Sequence, residues 1–114
     1  MGAVPSFIKS RDGMVRVVEA SSLPAGVISG SIIDHESVEL KDGDYIIMMS
    51  DGVLDALPFY DKEKHMKELI EGIEERMPQA IAERILSEVY FYDEKIADDM
   101  TVLVTGIWRI RNGE

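Results

Sequence analysis

The 114-residue chain predicts an α+β domain, a sheet of five to six strands with two main helices, on three observations. An unbroken apolar run, Tyr45–Met49, lies between the turn signal Asp42-Gly43 and the abrupt stop Ser50-Asp51-Gly52, the pattern of a buried strand. Two later stretches, 61–73 and the residues from Pro78 onward, repeat apolar side chains every three or four positions, as amphipathic helices do. A second long apolar run over 100–110 follows them, so the helices form an excursion between two strands of one sheet. An antiparallel or mixed sheet covered on one face by the helix pair is the simplest layered arrangement.

Taken in order, residues 2–9 open with small residues and Pro5 and carry Phe7-Ile8, a short strand that breaks at Arg11-Asp12-Gly13. Asp-Gly followed by alternation over 14–20 predicts a hairpin that turns Val15 and Val17 toward the covered face. Residues 21–26 read as a loop, 27–33 as a short strand or extended crossing, and 37–40 as a strand in which Val38 and Leu40 alternate. After the acid-ended strand, 53–57 make one helical turn before Pro58. Met66, Leu69, Ile70 and Ile73 form the apolar stripe of the first long helix. Pro78 can start the second, which presents Ile81, Ile85, Leu86 and Val89. The stripe of the two helices reads first as ordinary core; the alternative is an interface, with Tyr90-Phe91-Tyr92 at the end of the second helix as an exposed, adhesive patch. Residues 91–97 connect to the last strand.

Neither Tyr45–Met49 nor 102–104 alternates apolar with polar residues, as expected of strands buried on both faces. Two helices suffice for one face. The other cover is expected from a partner or from a longer parent chain, so the chain is expected to form a homo-oligomer or to pair with a missing half.

Twenty-two acids against 12 bases leave a formal charge of −10, which argues against a nucleic-acid partner. The absence of cysteine excludes disulfides, thiol nucleophiles and thiolate zinc sites. No apolar run approaches the ~20 residues of a membrane span, and the amino terminus has no signal-peptide pattern.

Asp51 ends one long strand and Asp98 stands just before the other, 47 positions later. They meet only if the helical excursion returns the chain to the same sheet edge, which the predicted topology does. Two such carboxylates suit a hard divalent cation, Mg²⁺ or Mn²⁺. A pair of ions there would support attack of water on a phosphate ester. From the residues alone the plainer reading is favoured: Asp51 forms a turn over Gly52, and Asp98 or Asp99 caps a strand edge. Asp55, four residues after Asp51, shares its face if a helix begins there and is either a weaker cation ligand or a solvated surface acid. Thr101 can hydrogen-bond a ligand carboxylate or serve only as a strand residue. His35 and His65 have no metal-motif spacing. No serine sits in a nucleophile elbow, and Gly26 and Gly30 fit no phosphate-cradling loop.

Ser50-Asp51-Gly52-Val53 after an apolar strand, and Asp98-Asp99-Met100-Thr101 before the last strand, resemble signatures of the PP2C-type metal-dependent serine/threonine protein phosphatases. Residues 2–9 (Gly-Ala-Val-Pro-Ser-Phe-Ile-Lys), 22–26 (Ser-Leu-Pro-Ala-Gly) and 42–52 further resemble the phosphatase domain of the stage II sporulation protein E family within that group. The resemblance runs over nearly the whole chain, and the order and spacing of its motifs are specific. It implies a sandwich of two antiparallel sheets flanked by antiparallel helices, with two Mn²⁺ or Mg²⁺ ions at one end. It assigns metal binding to Asp51 and Asp98 and a further, weaker ion to Asp55. Asp99 stands where many relatives carry asparagine, and it is expected to support the ligands from behind, as are Gly52 and Thr101. A metal-bridged water would attack phosphoserine or phosphothreonine directly.

The family also uses an earlier Asp-Gly motif whose aspartate bridges both metals and lies upstream of Gly2 in its layout. Residues 1–114 are therefore expected to be the carboxy-terminal portion of a phosphatase domain, inactive alone. In the parent, the resemblance implies a phosphorylated anti-sigma-factor antagonist as substrate during sporulation. It also implies a cytoplasmic location at the septum, with membrane attachment only through an amino-terminal region and a cell-division partner. A stress-response phosphatase relative would share Asp51 and Asp98 but differ around Pro5 and 22–26. A non-catalytic binding module on this scaffold would lack the upstream motif.

Overall fold

The computed structural model describes residues 4–18, 40–92 and 100–108. Its elements are β1 (Ser6–Lys9), β2 (Val15–Val18), β3 (Tyr45–Met49), α1 (Asp51–Asp55), α2 (Lys62–Glu71), α3 (Pro78–Tyr92) and β4 (Val102–Gly106). The strands form one antiparallel sheet in the order β2-β1-β3-β4. The strands expected over 27–33 and 37–40 lie, apart from Leu40, outside the described residues.

The unbroken apolar run became β3 because it is one of the two central strands, with a neighbour on each side and apolar cover on both faces. Ile47 and Met49 join the helix-side core, whereas Ile46 lies on the opposite face with Ile8, packed by Val18, Leu40, Met48 and Ile107. A strand with both faces covered needs no polar alternation. The helix-side core is filled by Phe7, Ile47, Val53, Leu57, Met66, Ile70, Ile81, Ile85 and Val89, all at most 1% exposed.

Asp61 stops the preceding loop and starts α2, since its side chain accepts a hydrogen bond from the Lys64 backbone N–H at 3.1 Å. Pro78 is the first residue of α3, where its missing N–H costs no hydrogen bond. The one-turn helix expected over 53–57 begins two residues earlier, at Asp51, and α3 continues through Phe91 and Tyr92, which were expected in part to lie in the connecting loop. The stripe Ile81, Ile85 and Val89 is core, whereas at the end of α3 the alternative reading applies: Tyr90, Phe91 and Tyr92 all remain open to solvent.

One burial expectation fails. Val15 is buried under α2, but Val17, its same-face neighbour, is 37% exposed. β2 is the edge strand, and the helix-side cover extends over only one end of it.

The two long helices run in opposite directions, as contacts at the two ends of the sheet show. Far from Asp51, Lys9 at the end of β1 donates through Nζ to the Ile70 carbonyl at 2.8 Å and to the Ile73 carbonyl, and the Tyr45 hydroxyl donates to the Arg76 carbonyl at 2.6 Å. The end of α2 and the link to α3 are thus pinned there. At the Asp51 end, Phe59 stacks on His65 of α2 with centroids 3.5 Å apart and meets Tyr92 of α3 edge-on at 5.2 Å.

The turn before β3 explains two glycines. Gly43 has φ +94, a left-handed conformation that side chains disfavour, and a Cβ there would meet the Arg11 side chain. Its N–H donates to the Ile107 carbonyl at 2.9 Å and the Ile107 N–H donates to the Asp44 carbonyl at 2.8 Å, so the pairing of β3 with β4 runs on into the turn. Beside it, the Trp108 ring lies over Gly106 where a Cβ would be, and meets Tyr45 edge-on at 6.1 Å. Gly106→Ala is expected to swing the indole away and lose about 1 kcal/mol of aromatic contact. Trp108 is the chain's single tryptophan, so a red-shifted emission maximum would report the change directly.

Candidate functional site

The candidate site is built where β3 stops and β4 starts. Met49 pairs with Val102, and the ladder is extended one step by two bonds between Ser50 and Thr101. The Ser50 N–H donates to the Thr101 carbonyl at 2.9 Å, and the Thr101 N–H donates to the Ser50 hydroxyl at 3.0 Å. Serine is a favoured helix N-cap, yet the Ser50 side chain makes no capping bond to α1. It clamps the two strand ends together instead.

Asp51 follows directly as the first residue of α1, its carboxylate exposed. Asp55 closes the same helix, also exposed, and its carbonyl accepts from Lys62 Nζ at 3.1 Å. Neither carboxylate takes part in a hydrogen bond or ion pair with a described residue. The helix holds its place because Val53 and Leu54, on its other side, are buried in the core. Gly52 is an ordinary helical residue within it.

Asp98 and Asp99 lie outside the described residues, so the structure brings Asp51 and Asp55 onto one short helix and sets Thr101 beside them. Thr101 uses its backbone, not its hydroxyl, at the clamp. His65 stacks on Phe59, and His35 lies outside the described residues.

Asp51 and Asp55 offer the hard oxygen donors that Mg²⁺ and Mn²⁺ take, so the residues present fit such an ion in donor type. Among the described residues no three His, Asp or Glu side chains converge into a metal-holding group. Asp51 and Asp55 by themselves would make only a part of a donor set for such an ion. Among the described residues, no helix is long and apolar enough to cross a membrane.

Sequence reasoning missed the Ser50 clamp and the Phe59 contacts. The clamp had a signal, a serine between a strand and an Asp-Gly helix start. The aromatic contacts join Phe59 to residues 6 and 33 positions away, and no periodicity marks either of them.

A family model described as Stage II sporulation protein E (SpoIIE) matches residues 1–107. Stage II sporulation protein E of Bacillus subtilis (strain 168) is 38% identical over 109 residues, 94% of this chain and 13% of its own length. The protein of that name from Priestia megaterium is 39% identical over 106 residues, 91% of this chain and 18% of its own. The chain therefore spans less than a fifth of these relatives. Among solved structures, the phosphatase domain of the cell fate determinant SpoIIE from Bacillus subtilis superposes with a TM-score of 0.75 at 33% identity, covering 99% of this chain and 52% of that one. A structure of the PP2C phosphatase domain of the same protein with a fragment of its regulatory domain gives a TM-score of 0.74 at 39% identity, over 94% of this chain and 32% of that one. The α+β architecture is that of the PP2C-like phosphatase fold.

Proposed function

Because this chain belongs to the stage II sporulation protein E family, we propose that it forms the carboxy-terminal portion of a PP2C-type domain that hydrolyses phosphoserine or phosphothreonine on a protein. The observation that carries this reading is the Ser50–Thr101 clamp, which fixes Asp51 at the rim where β4 enters the sheet. With Thr101 held there, Asp98 and Asp99 are only two or three residues from the clamp, within reach of the same rim.

In this reading Asp51 and Asp98 hold the cations, Asp55 holds a further and weaker one, and Gly52, Asp99 and Thr101 support these ligands from behind. Mn²⁺ or Mg²⁺, when bound, supplies an activated water and neutralises phosphate charge. The chain's own part is to hold carboxylates rigidly at the end of a buried strand, with β4 clamped alongside. The substrate is a phosphorylated anti-sigma-factor antagonist in sporulating cells, met by a cytoplasmic domain that other parts of the parent protein attach to the septal membrane.

The chain corresponds to about half of the phosphatase domain structures it matches, so turnover is expected only when the other half is present. The test is manganese-dependent release of phosphate from a phosphoserine protein. Residues 1–114 alone are expected to be silent, and the same residues joined to the rest of the domain active. Turnover by the 114 residues alone would overturn the partial-site reading, and silence of the complete domain would overturn the phosphatase reading.

A further inference from the structure

A ridge of aromatic side chains stands next to the candidate site and is not used by it. Phe59, half-buried, links His65 to Tyr92, and Phe91 meets Tyr92 edge-on at 5.5 Å. Tyr60 is fully exposed and Phe91 is 80% exposed, well beyond what the fold needs of them. Tyr60 shares an open depression with Leu54, Asp55, Asp61, Lys62 and Glu63. Asp55 lies one helical turn from Asp51, so this depression begins about 6 Å along the helix axis from the candidate metal ligand.

The charges around the ridge are unequal. Asp55, Asp61 and Glu63 face solvent, whereas the single cation among them, Lys62, donates to the Asp55 carbonyl. An aromatic surface bordered by carboxylates complements an apolar side chain flanked by lysine or arginine, through burial, cation–π contact and charge. A second copy of this chain is a poor occupant, because a two-fold contact would set the same acids against each other in a protein of charge −10.

We propose, resting on the phosphatase reading above, that this ridge docks the phosphoprotein substrate: Tyr60 in its depression, and Phe91 with Tyr92 at the end of α3, receive apolar side chains near the phosphorylated residue, and Asp61 and Glu63 receive the basic side chains beside them. The ridge sets which phosphorylated segment reaches the rim, and the carboxylates of the rim act on what is delivered.

The test is fluorescence anisotropy on the 114-residue chain without added metal. The probe is a fluorescein-labelled phosphoserine peptide carrying a leucine and two flanking arginines, compared with a peptide in which glutamates replace the arginines. The arginine peptide is expected to bind the better. Tyr60→Ser combined with Phe91→Ser is expected to weaken it about tenfold, with far-UV circular dichroism and sedimentation unchanged. Glu63→Lys, at an exposed position, is expected to weaken it at low salt and to have less effect at high salt. Equal affinity for both peptides, or unchanged binding by both variants, would overturn the proposal. So would an effect of the double variant confined to self-association or to pairing with the rest of the domain. Because no turnover is read, failure here leaves the phosphatase reading standing.

Discussion

Asp51→Asn, introduced into the complete phosphatase domain that contains this chain, is expected to lower manganese-dependent phosphate release at least about 100-fold. Asparagine keeps the size and one carbonyl oxygen but removes the charge that holds a hard cation. The exchange costs the fold little, because the Asp51 carboxylate is exposed and makes no hydrogen bond with a described residue. The melting temperature should therefore hold while turnover collapses, and manganese affinity measured by calorimetry should fall with it. Asp55→Asn is expected to act more weakly, with partial rescue at high manganese. Full activity in Asp51→Asn would refute the assignment of Asp51.

The second large effect is on stability. Lys9→Met is expected to destabilise the fold by about 2 kcal/mol, read from chemical denaturation. Lys9 is 7% exposed and donates to the Ile70 carbonyl in the last turn of α2 and to the Ile73 carbonyl just beyond it; the Ile70 carbonyl also accepts from the Ile73 N–H at 3.1 Å. Methionine fills the space of the stem but offers no donor, so the Ile73 carbonyl loses the Lys9 bond, the Ile70 carbonyl keeps only the Ile73 N–H, and the favourable placement of a cation at a helix C-terminus is lost.

The pH dependence has a definite sign. Burial pushes the Lys9 ammonium below the ordinary lysine value of 10.5, opposed in part by Glu75, Glu71 and Glu74. Between that lowered value and 10.5 the unfolded chain binds more protons than the folded one, so the Lys9 contribution to stability rises with pH across this alkaline window. Lys9→Met should remove that rise. At the acid end, the hydrogen bond from Lys67 at 2.9 Å holds the Glu71 carboxyl below the usual range, against some desolvation. Its contribution is complete above the ordinary carboxylate range and is lost as the pH falls through the lowered value.

How much of this could be read in the chain depends on how far each signal reaches. Tyr45–Met49 was legible to the residue, because a strand covered on both faces needs only apolar side chains and a turn at each end. Pro78 and the stripe of Ile81, Ile85 and Val89 marked α3 for the same local reason. The last strand stops at Gly106, short of the predicted 110, because Ile107 and Gly43 turn the ladder into the loop before β3. Val17 reads as core by alternation, yet the helix above it stops short, and alternation carries no information on where cover ends. Lys9 is the sharpest case: a lysine ending an apolar strand looks like a polar stop, and only the arrival of α2, more than 60 positions later, makes it a buried cap. At the candidate site, Asp51 and its motif were visible, while the hold that Ser50 takes on Thr101 spans 51 positions and needed the register.

That hold has a consequence for solvent exchange. The Thr101 amide lies outside every strand and on an exposed residue, where rapid deuterium uptake would be the default, yet its proton is committed to the Ser50 hydroxyl. Its exchange rate becomes a meter for opening of the seam between the two strand ends. An alanine at position 50 would release that single amide while the neighbouring ladder amides keep their protection.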